Sequence, residues 1–310
     1  MIKKYKIVEK KNFWFSMSLL FILVGLTLMS YRALTQKPIL NFGIDFTGGT
    51  SISLKIEALN KNLLQYKDKG QTEDEVKIAF IEDVRNVLGE VGLEKSYIQI
   101  TKDKEVLIKT TELTDDKRVE ILDLLENKFG GLELLEADVV GPIIGAELKT
   151  TSLWIIFVVM VMLLLYITWR FEFVFGISAL MALLHDALVI VCFAAIFNVE
   201  INVPFVAALL TVLGYSINDT IVVFDRIREN LFSAKMKSDI KNIINESLSQ
   251  TMRRTIHTSV TTLLVVGCLF LFGGATIKSF TLVLLVGILS GTYSSLCIAS
   301  PILAMVSDKK

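Results

Sequence analysis

Six runs of mainly apolar residues, at 13–31, 152–169, 173–197, 203–224, 255–272 and 280–306, dominate what this chain can become. Each approaches the roughly 20 residues that a helix rising ~1.5 Å per residue needs to cross a hydrocarbon core ~30 Å thick. Backbone inside lipid must satisfy its own hydrogen bonds, so six such runs specify a helical bundle. Hydrophobic residues make up 53% of the chain, above the ~45–50% of an ordinary soluble domain. The 32 basic and 32 acidic residues cancel, which excludes a basic nucleic-acid-binding chain. They are also unevenly placed: residues 37–149 hold 15 Lys/Arg and 22 Asp/Glu, an acidic soluble domain set between the first and second runs. The first run exceeds the ~7–15 apolar residues of a signal peptide, and no small-x-small cleavage site follows. It reads as an uncleaved anchor.

Orientation follows from the basic residues beside the spans. Lys3, Lys4, Lys6, Lys10, Lys11, Arg170, Arg226, Arg228, Lys235, Lys237, Lys241, Arg253, Arg254, Lys309 and Lys310 fall on one side, against Arg32, Lys37, Lys149 and Lys278 on the other. The expected layout is a cytoplasmic N-terminus (1–12), a transmembrane helix (13–33) and an extracytoplasmic domain (34–149). Five more transmembrane helices follow within 150–306, with a cytoplasmic loop at 226–252 and a cytoplasmic tail at 307–310. Ile240, Ile243, Ile244 and Leu248 give that loop an amphipathic helix, expected on the membrane surface or against the bundle.

In the extracytoplasmic domain, residues 42–56 alternate and read as a strand interrupted by Gly48-Gly49. Thr72 to Glu75 has capping-box spacing and opens a helix with Val76, Ala79, Phe80, Val84, Val87 and Leu88 on one face. Two short strands, 96–101 and 106–110, flank a turn at Lys102-Asp103-Lys104. A second helix starts after Thr114, presents Val119, Leu122, Leu125 and Phe129, and stops at Gly130-Gly131. Residues 132–140 close as a strand. The order β-α-β-β-α-β is the ferredoxin-like split. Gly48-Gly49 lacks the Lys-Ser/Thr of a phosphate loop, so a tight turn with positive φ is the better reading. This domain shows no catalytic constellation. Cys192, Cys268 and Cys297 sit in apolar runs as small core hydrophobes, and with only His185 and His257 a zinc site is not expected.

Ionisable groups inside spans are expensive and are therefore the functional candidates. The third span carries His185-Asp186 near its midpoint, and the fourth carries Tyr215, Ser216, Asn218, Asp219 and Thr220. The fifth opens with Arg253-Arg254 and continues through His257, Thr258, Ser259, Thr261 and Thr262. The sixth has Gly287-x-x-x-Gly291 followed by Thr292, Ser294 and Ser295. Asp219 lies six residues before Asp225, about 9 Å inside the cytoplasmic boundary, and Arg254 begins the antiparallel fifth helix from that boundary. A carboxylate that gains and loses an arginine partner meets the requirement of a proton relay. The alternatives are a permanent ion pair or an arginine that snorkels to the interface. Asp186 needs a partner, from Asn218 or the fifth span, and an interhelical hydrogen bond suits it as well as proton transfer does. Gly287 and Gly291 permit close helix packing, and Tyr293 and the Thr258–Thr262 cluster read as interhelical hydrogen bonders.

Phe42-Gly43-Ile44-Asp45-Phe46-Thr47-Gly48-Gly49-Thr50 resembles the signature of the SecD/SecF family of translocase subunits. The block from Gly214 through Asn218-Asp219 to Asn230 is similar to that family's fourth-helix block, and His185-Asp186, Arg254-Thr255-x-x-Thr258-Ser259 and Gly291 to Ser295 fit as well. The likeness spans roughly residues 13–303, and the single small outer domain favours the SecF branch. The resemblance implies one six-helix half of a resistance–nodulation–division transporter, with SecD supplying the other half in a bacterial cytoplasmic membrane. It also implies association with the SecYEG channel, SecA and YajC, and late-stage export of preproteins driven by the proton gradient, with no cofactor. Asp219 and Arg254 match the family's proton-pathway residues. Three rivals remain: a passive scaffold, an intramembrane aspartyl protease using Asp186 and Asp219, and half of a small-molecule exporter. The last two are disfavoured by the different depths of the two carboxylates and by the small outer domain.

Overall fold

The computed structural model describes residues 6–65, 72–101, 104–233 and 239–307. The chain divides into two compact units, Phe42–Thr151 on one hand and Met1–Asn41 with Ser152–Lys310 on the other. In chain order, α1 (Lys11–Leu34) precedes α2 (Ile44–Thr47), β1 (Gly49–Ile56), α3 (Glu57–Gln65), α4 (Glu73–Glu90), β2 (Tyr97–Ile100), β3 (Glu105–Thr110), α5 (Asp115–Phe129) and β4 (Leu132–Val140). Then come α6 (Pro142–Arg170), α7 (Phe173–Phe197), α8 (Val203–Ser233), α9 (Ile240–Phe272), α10 (Ala275–Ser294), a π-helical turn (Ser295–Ala299) and α11 (Ser300–Ser307).

The α+β unit is a four-stranded antiparallel sheet in the order β2-β3-β1-β4, the ferredoxin-like arrangement. Alternation along β1 sends Ile52, Leu54 and Ile56 to one face, where Val106 and Ile108 of β3 join them under Phe80 and Val84 of α4 and Ile121 and Leu125 of α5. Thr72 and Glu75 complete the capping box that starts α4. Gly130, with φ +64°, ends α5.

Three expectations need correction here. Residues 44–47 form a helical turn, which Gly48 ends with φ +71°, and the strand starts only at Gly49, with φ +128°. The helix α3, unforeseen, buries Leu59 and Leu63 against the sheet core. On α5, Leu125 is buried and Leu122 and Phe129 pack against the core as expected, but Val119 is exposed and Ile121 takes its place in the core. Part of the expected turn, residues 102–103, lies outside the described residues.

Six helices are long and apolar enough to cross a membrane: α1, α6, α7, α8, α9 and the stretch Ile277–Ser307 that runs from α10 into α11. Their apolar windows are 67% buried for that last span, 56% for α8 and 44% for α7, but only 11–17% for α1, α6 and α9. The centre of the bundle is therefore α7, α8 and α10. Glycines set the closest approach: a Cβ at Gly291 would lie 2.8 Å from Ser216 Cβ, and one at Gly287 would overlap Val212. Pro301 lacks the N–H that an α-helical ladder needs at its position, and the π turn ends two residues before it.

The expected loop at 226–252 is helical at both ends, since α8 continues to Ser233 and α9 begins at Ile240. The extensions hold each other. Arg226 Nε donates to Gln250 Oε1 at 2.5 Å, Asn230 Nδ2 donates to Ser247 Oγ at 2.8 Å and to Gln250 Oε1 at 3.0 Å, and Ile227, Ile244 and Leu248 are buried. The residues read as a separate amphipathic helix are thus the start of the fifth span. Asn245 Oδ1 accepts from the backbone N–H groups of Ile7 and Val8 at 3.0 and 3.1 Å, fixing the chain just ahead of α1. Cys268 is exposed on the outside of α9 rather than in the core.

Candidate functional site

Two carboxylates are buried in the bundle, Asp186 on α7 and Asp219 on α8, with exposures of 0% and 3%. An ionised carboxylate presents about four lone-pair sites, and Asp186 has a donor for each. Ser216 Oγ of α8 and Ser294 Oγ of α10 donate to Oδ2 at 2.6 and 2.7 Å. Ser290 Oγ of α10 donates to Oδ1 at 2.7 Å, and His185 Nδ1 lies 3.1 Å from the same oxygen. With Nδ1–H turned to Asp186, the buried Nε2 of His185 has no partner among the described residues. Its ring leans on Tyr293, centroids 5.9 Å apart. The Tyr293 hydroxyl donates to the Trp14 carbonyl at 2.7 Å and accepts from Ser18 Oγ at 3.0 Å, which joins α1 to this cluster.

The expected partners of Asp186 are not the observed ones. At ~100° per residue, Asn218 is turned about half a revolution from Ser216 and faces outward, exposed. Ser290 was invisible in the sequence as a functional residue. Its only signal is the i, i+4 spacing with Ser294, alongside the Gly287–Gly291 face.

Asp219 is poorly provided for. Ser259 Oγ of α9 lies 3.4 Å from its Oδ2, yet the same hydroxyl is 2.8 Å from the Thr255 carbonyl. A hydroxyl has one proton to give, so the shorter contact competes for it. Thr292 Oγ1 of α10 donates to Ser259 Oγ at 2.7 Å, completing a line Thr292–Ser259–Asp219 across three helices. Arg254 does not join it: the residue is exposed, and among the described residues no ion pair involves it. It sits five residues, about 7.5 Å, from the level of Ser259 along α9.

Of the remaining expected residues, Tyr215 bridges α8 to α9 through Thr262, with oxygens 3.2 Å apart. Thr258 instead bonds carbonyls of its own helix, those of Arg254 and Thr255. Thr220 Oγ1 and Ser295 Oγ are 2.8 Å apart, which ties α8 to the π turn. Asp186 and Asp219 share no hydrogen-bond partner among the described residues, whereas an aspartyl dyad requires two carboxyls about one hydrogen bond apart. Among the described residues no group of three His, Cys, Asp or Glu side chains is placed to hold a metal ion.

In the α+β unit, Asp45 lies in the first turn of α2, ahead of Gly48 and Gly49. A Cβ at Gly48 would lie 2.8 Å from Pro142 Cα, and one at Gly49 would overlap the Thr110 carbonyl. Only glycine fits both the left-handed backbone and the space.

Residues 120–309 match the family model described as protein export membrane protein SecD/SecF, C-terminal, and residues 40–58 match the SecD/SecF GG motif. A protein translocase subunit SecF of Sebaldella termitidis is 36% identical over 97% of this chain and 91% of its own length. The chain belongs to the SecF family. Another SecF, from Desulfurispirillum indicum, is 39% identical over 85% of this chain and 81% of its own. Among solved structures, the crystal structure of SecDF, a translocon-associated membrane protein from Thermus thermophilus, aligns with a TM-score of 0.83 at 30% identity. It covers 99% of this chain, while this chain spans 39% of that one. A SecF-family chain with six apolar helices is a multi-pass membrane protein and a subunit of the protein translocase. The GG-motif match falls on the crowded Gly48–Gly49 turn.

Proposed function

We propose that this SecF-family subunit pairs with SecD and couples the proton-motive force to late-stage preprotein export, with Asp219 as the group that takes and releases the proton. One observation carries the reading: Asp219 is 3% exposed, yet among the described residues its single hydrogen bond is 3.4 Å long and contested. A buried carboxylate left so incompletely satisfied gains most from a new partner or a proton. Arg254, one to two turns along α9, is the partner that an ionised Asp219 would draw in. Protonation from outside would release Arg254 and let α8 and α9 repack, and deprotonation towards the cytoplasm would reset them. One charge crossing 100 mV supplies ~2.3 kcal/mol, comparable to allosteric couplings of ~1–3 kcal/mol. No cofactor is required.

In this reading the basic side of the bundle is cytoplasmic, both termini with it. The α+β domain lies outside, where it handles the emerging chain in concert with SecYEG, SecA and YajC. A passive scaffold is the second reading, supported by Asp186, whose four donors make it an interhelical fastener. The discriminating experiment is preprotein export in sealed vesicles containing this chain, SecD and the channel, with and without a proton gradient. Gradient-stimulated export should vanish in Asp219→Asn while assembly with SecD persists. Undiminished stimulation in that variant would hand the case to the scaffold.

A further inference from the structure

A cavity of about 490 Å³ opens between α1, α9 and α10. Trp14, Ile256, Val260 and Leu289 form much of its wall, and Ser259 and Thr292 line it as well. Ile256, Val260 and Leu289 are 45%, 46% and 57% exposed, so the cavity faces the surroundings of the bundle, which within a membrane are hydrocarbon. The volume lies in the range of pockets that enclose a small molecule, about 300–1,000 Å³.

Two further observations define the occupant's polar end. The Trp14 indole N–H is buried without a partner among the described residues, a donor in need of an acceptor oxygen. Lys10 and Lys11 lie one turn ahead of Trp14 in the chain, and Arg253 and Arg254 follow Met252, itself a lining residue, in sequence. None of these four cations is in an ion pair among the described residues. The acidic residues nearest in sequence are Glu9, which accepts from Asn245 Nδ2, and Glu246. Apolar walls call for hydrocarbon, while the free N–H and the unpaired cations call for an anionic head with acceptor oxygens.

We propose that the cavity is a binding site for one anionic phospholipid, its acyl chain between α1, α9 and α10 and its phosphate at Lys10, Lys11 and Arg253. Ser259 and Thr292 form part of the wall, so the chain lies against the hydroxyl that reaches Asp219 and the one that donates to it. Occupancy then bears on the same hydrogen-bonded line that the proposed proton coupling uses. Binding itself does not depend on that coupling, and the two readings fail separately.

The test is native mass spectrometry of the full-length chain released from mixed micelles holding phosphatidylglycerol and phosphatidylcholine with identical acyl chains. Phosphatidylglycerol should be retained about tenfold over phosphatidylcholine, in keeping with the worth of one or two basic side chains at an anionic headgroup. Lys10→Gln combined with Lys11→Gln and Arg253→Gln should bring the two lipids to parity. Val260→Trp, at an exposed position that fills the cavity, should empty it of both, and Leu289→Trp repeats that arm if the first variant folds poorly. Equal retention of the two lipids by the unaltered chain overturns the proposal. So does unchanged phosphatidylglycerol retention in a folded cavity-filling variant.

Discussion

Asp186 and Asp219 are buried to nearly the same degree in the same bundle, and their surroundings differ in every other respect. Asp186 is held by hydroxyls from two other helices and by the adjacent imidazole, with both oxygens engaged at 3.1 Å or less. Among the described residues Asp219 has one hydrogen bond, at 3.4 Å, from a hydroxyl closer to another acceptor. A saturated carboxylate has one arrangement and resists change, whereas an undersupplied one has cheap alternatives. Burial alone therefore does not mark a moving part. The count and length of the bonds do.

The contrast can be broken most forcefully at the saturated end. Asp186→Leu should cost roughly 3–5 kcal/mol, because it leaves Ser216, Ser290, Ser294 and His185 facing no acceptor and a buried donor left unsatisfied costs about 1–3 kcal/mol. Thermal unfolding in lipid nanodiscs would show it, and a loss no larger than that of Asp219→Leu would erase the distinction. Forcing α10 away from α8 comes next: Gly291→Leu should cost about 1–3 kcal/mol by overpacking against Ser216, read in the same assay. Ser259→Ala sharpens the comparison at the weak end. Removing one long, shared bond should change stability by no more than about 0.5–1.5 kcal/mol, while proton-dependent export responds more strongly than melting does.

The smallest effect lies in the α+β domain. Hydrogen bonds from the Thr72 backbone N–H, and then from its hydroxyl, hold the exposed Glu75 below its ordinary value of 4.5. A lowered carboxylate value contributes stability above the unfolded value and loses it as pH falls through the folded one. Hydrogen exchange at the first amides of α4 should therefore quicken below about pH 4.5, relative to the interior of the same helix. Glu75→Gln should flatten that dependence.

The six spans were legible because hydropathy registers entry into lipid directly, and the Gly48–Gly49 turn was legible because few other residues allow such backbone. The boundary at 226–252 was not. Arg226, Arg228, Glu229 and Lys241 signal an exit from the membrane, but a helix continues past that exit when residues such as Ile227 and Leu248 bury one another. The partners of Asp186 were also hidden. They depend on the rotational phase of α8 and α10, and a lone Ser290 in an apolar helix reads as a spacer until α7 is placed beside it. Asp219 and Arg254 were singled out by position along their helices, yet position could not reveal that an unpaired arrangement is available to them.

The two bonds from Asn245 to the Ile7 and Val8 amides give α1 a mechanical role that its shallow burial would not suggest. A slide of α9 along its axis must either break that clip or drag the start of α1 with it, because paired bonds to consecutive amides leave little slack. The helix that leads into the α+β domain is thus leashed at its base to the helix that carries Ser259 and Arg254. A tag or fusion attached ahead of residue 7 would load that leash, which makes the opposite end of the chain the safer place for one.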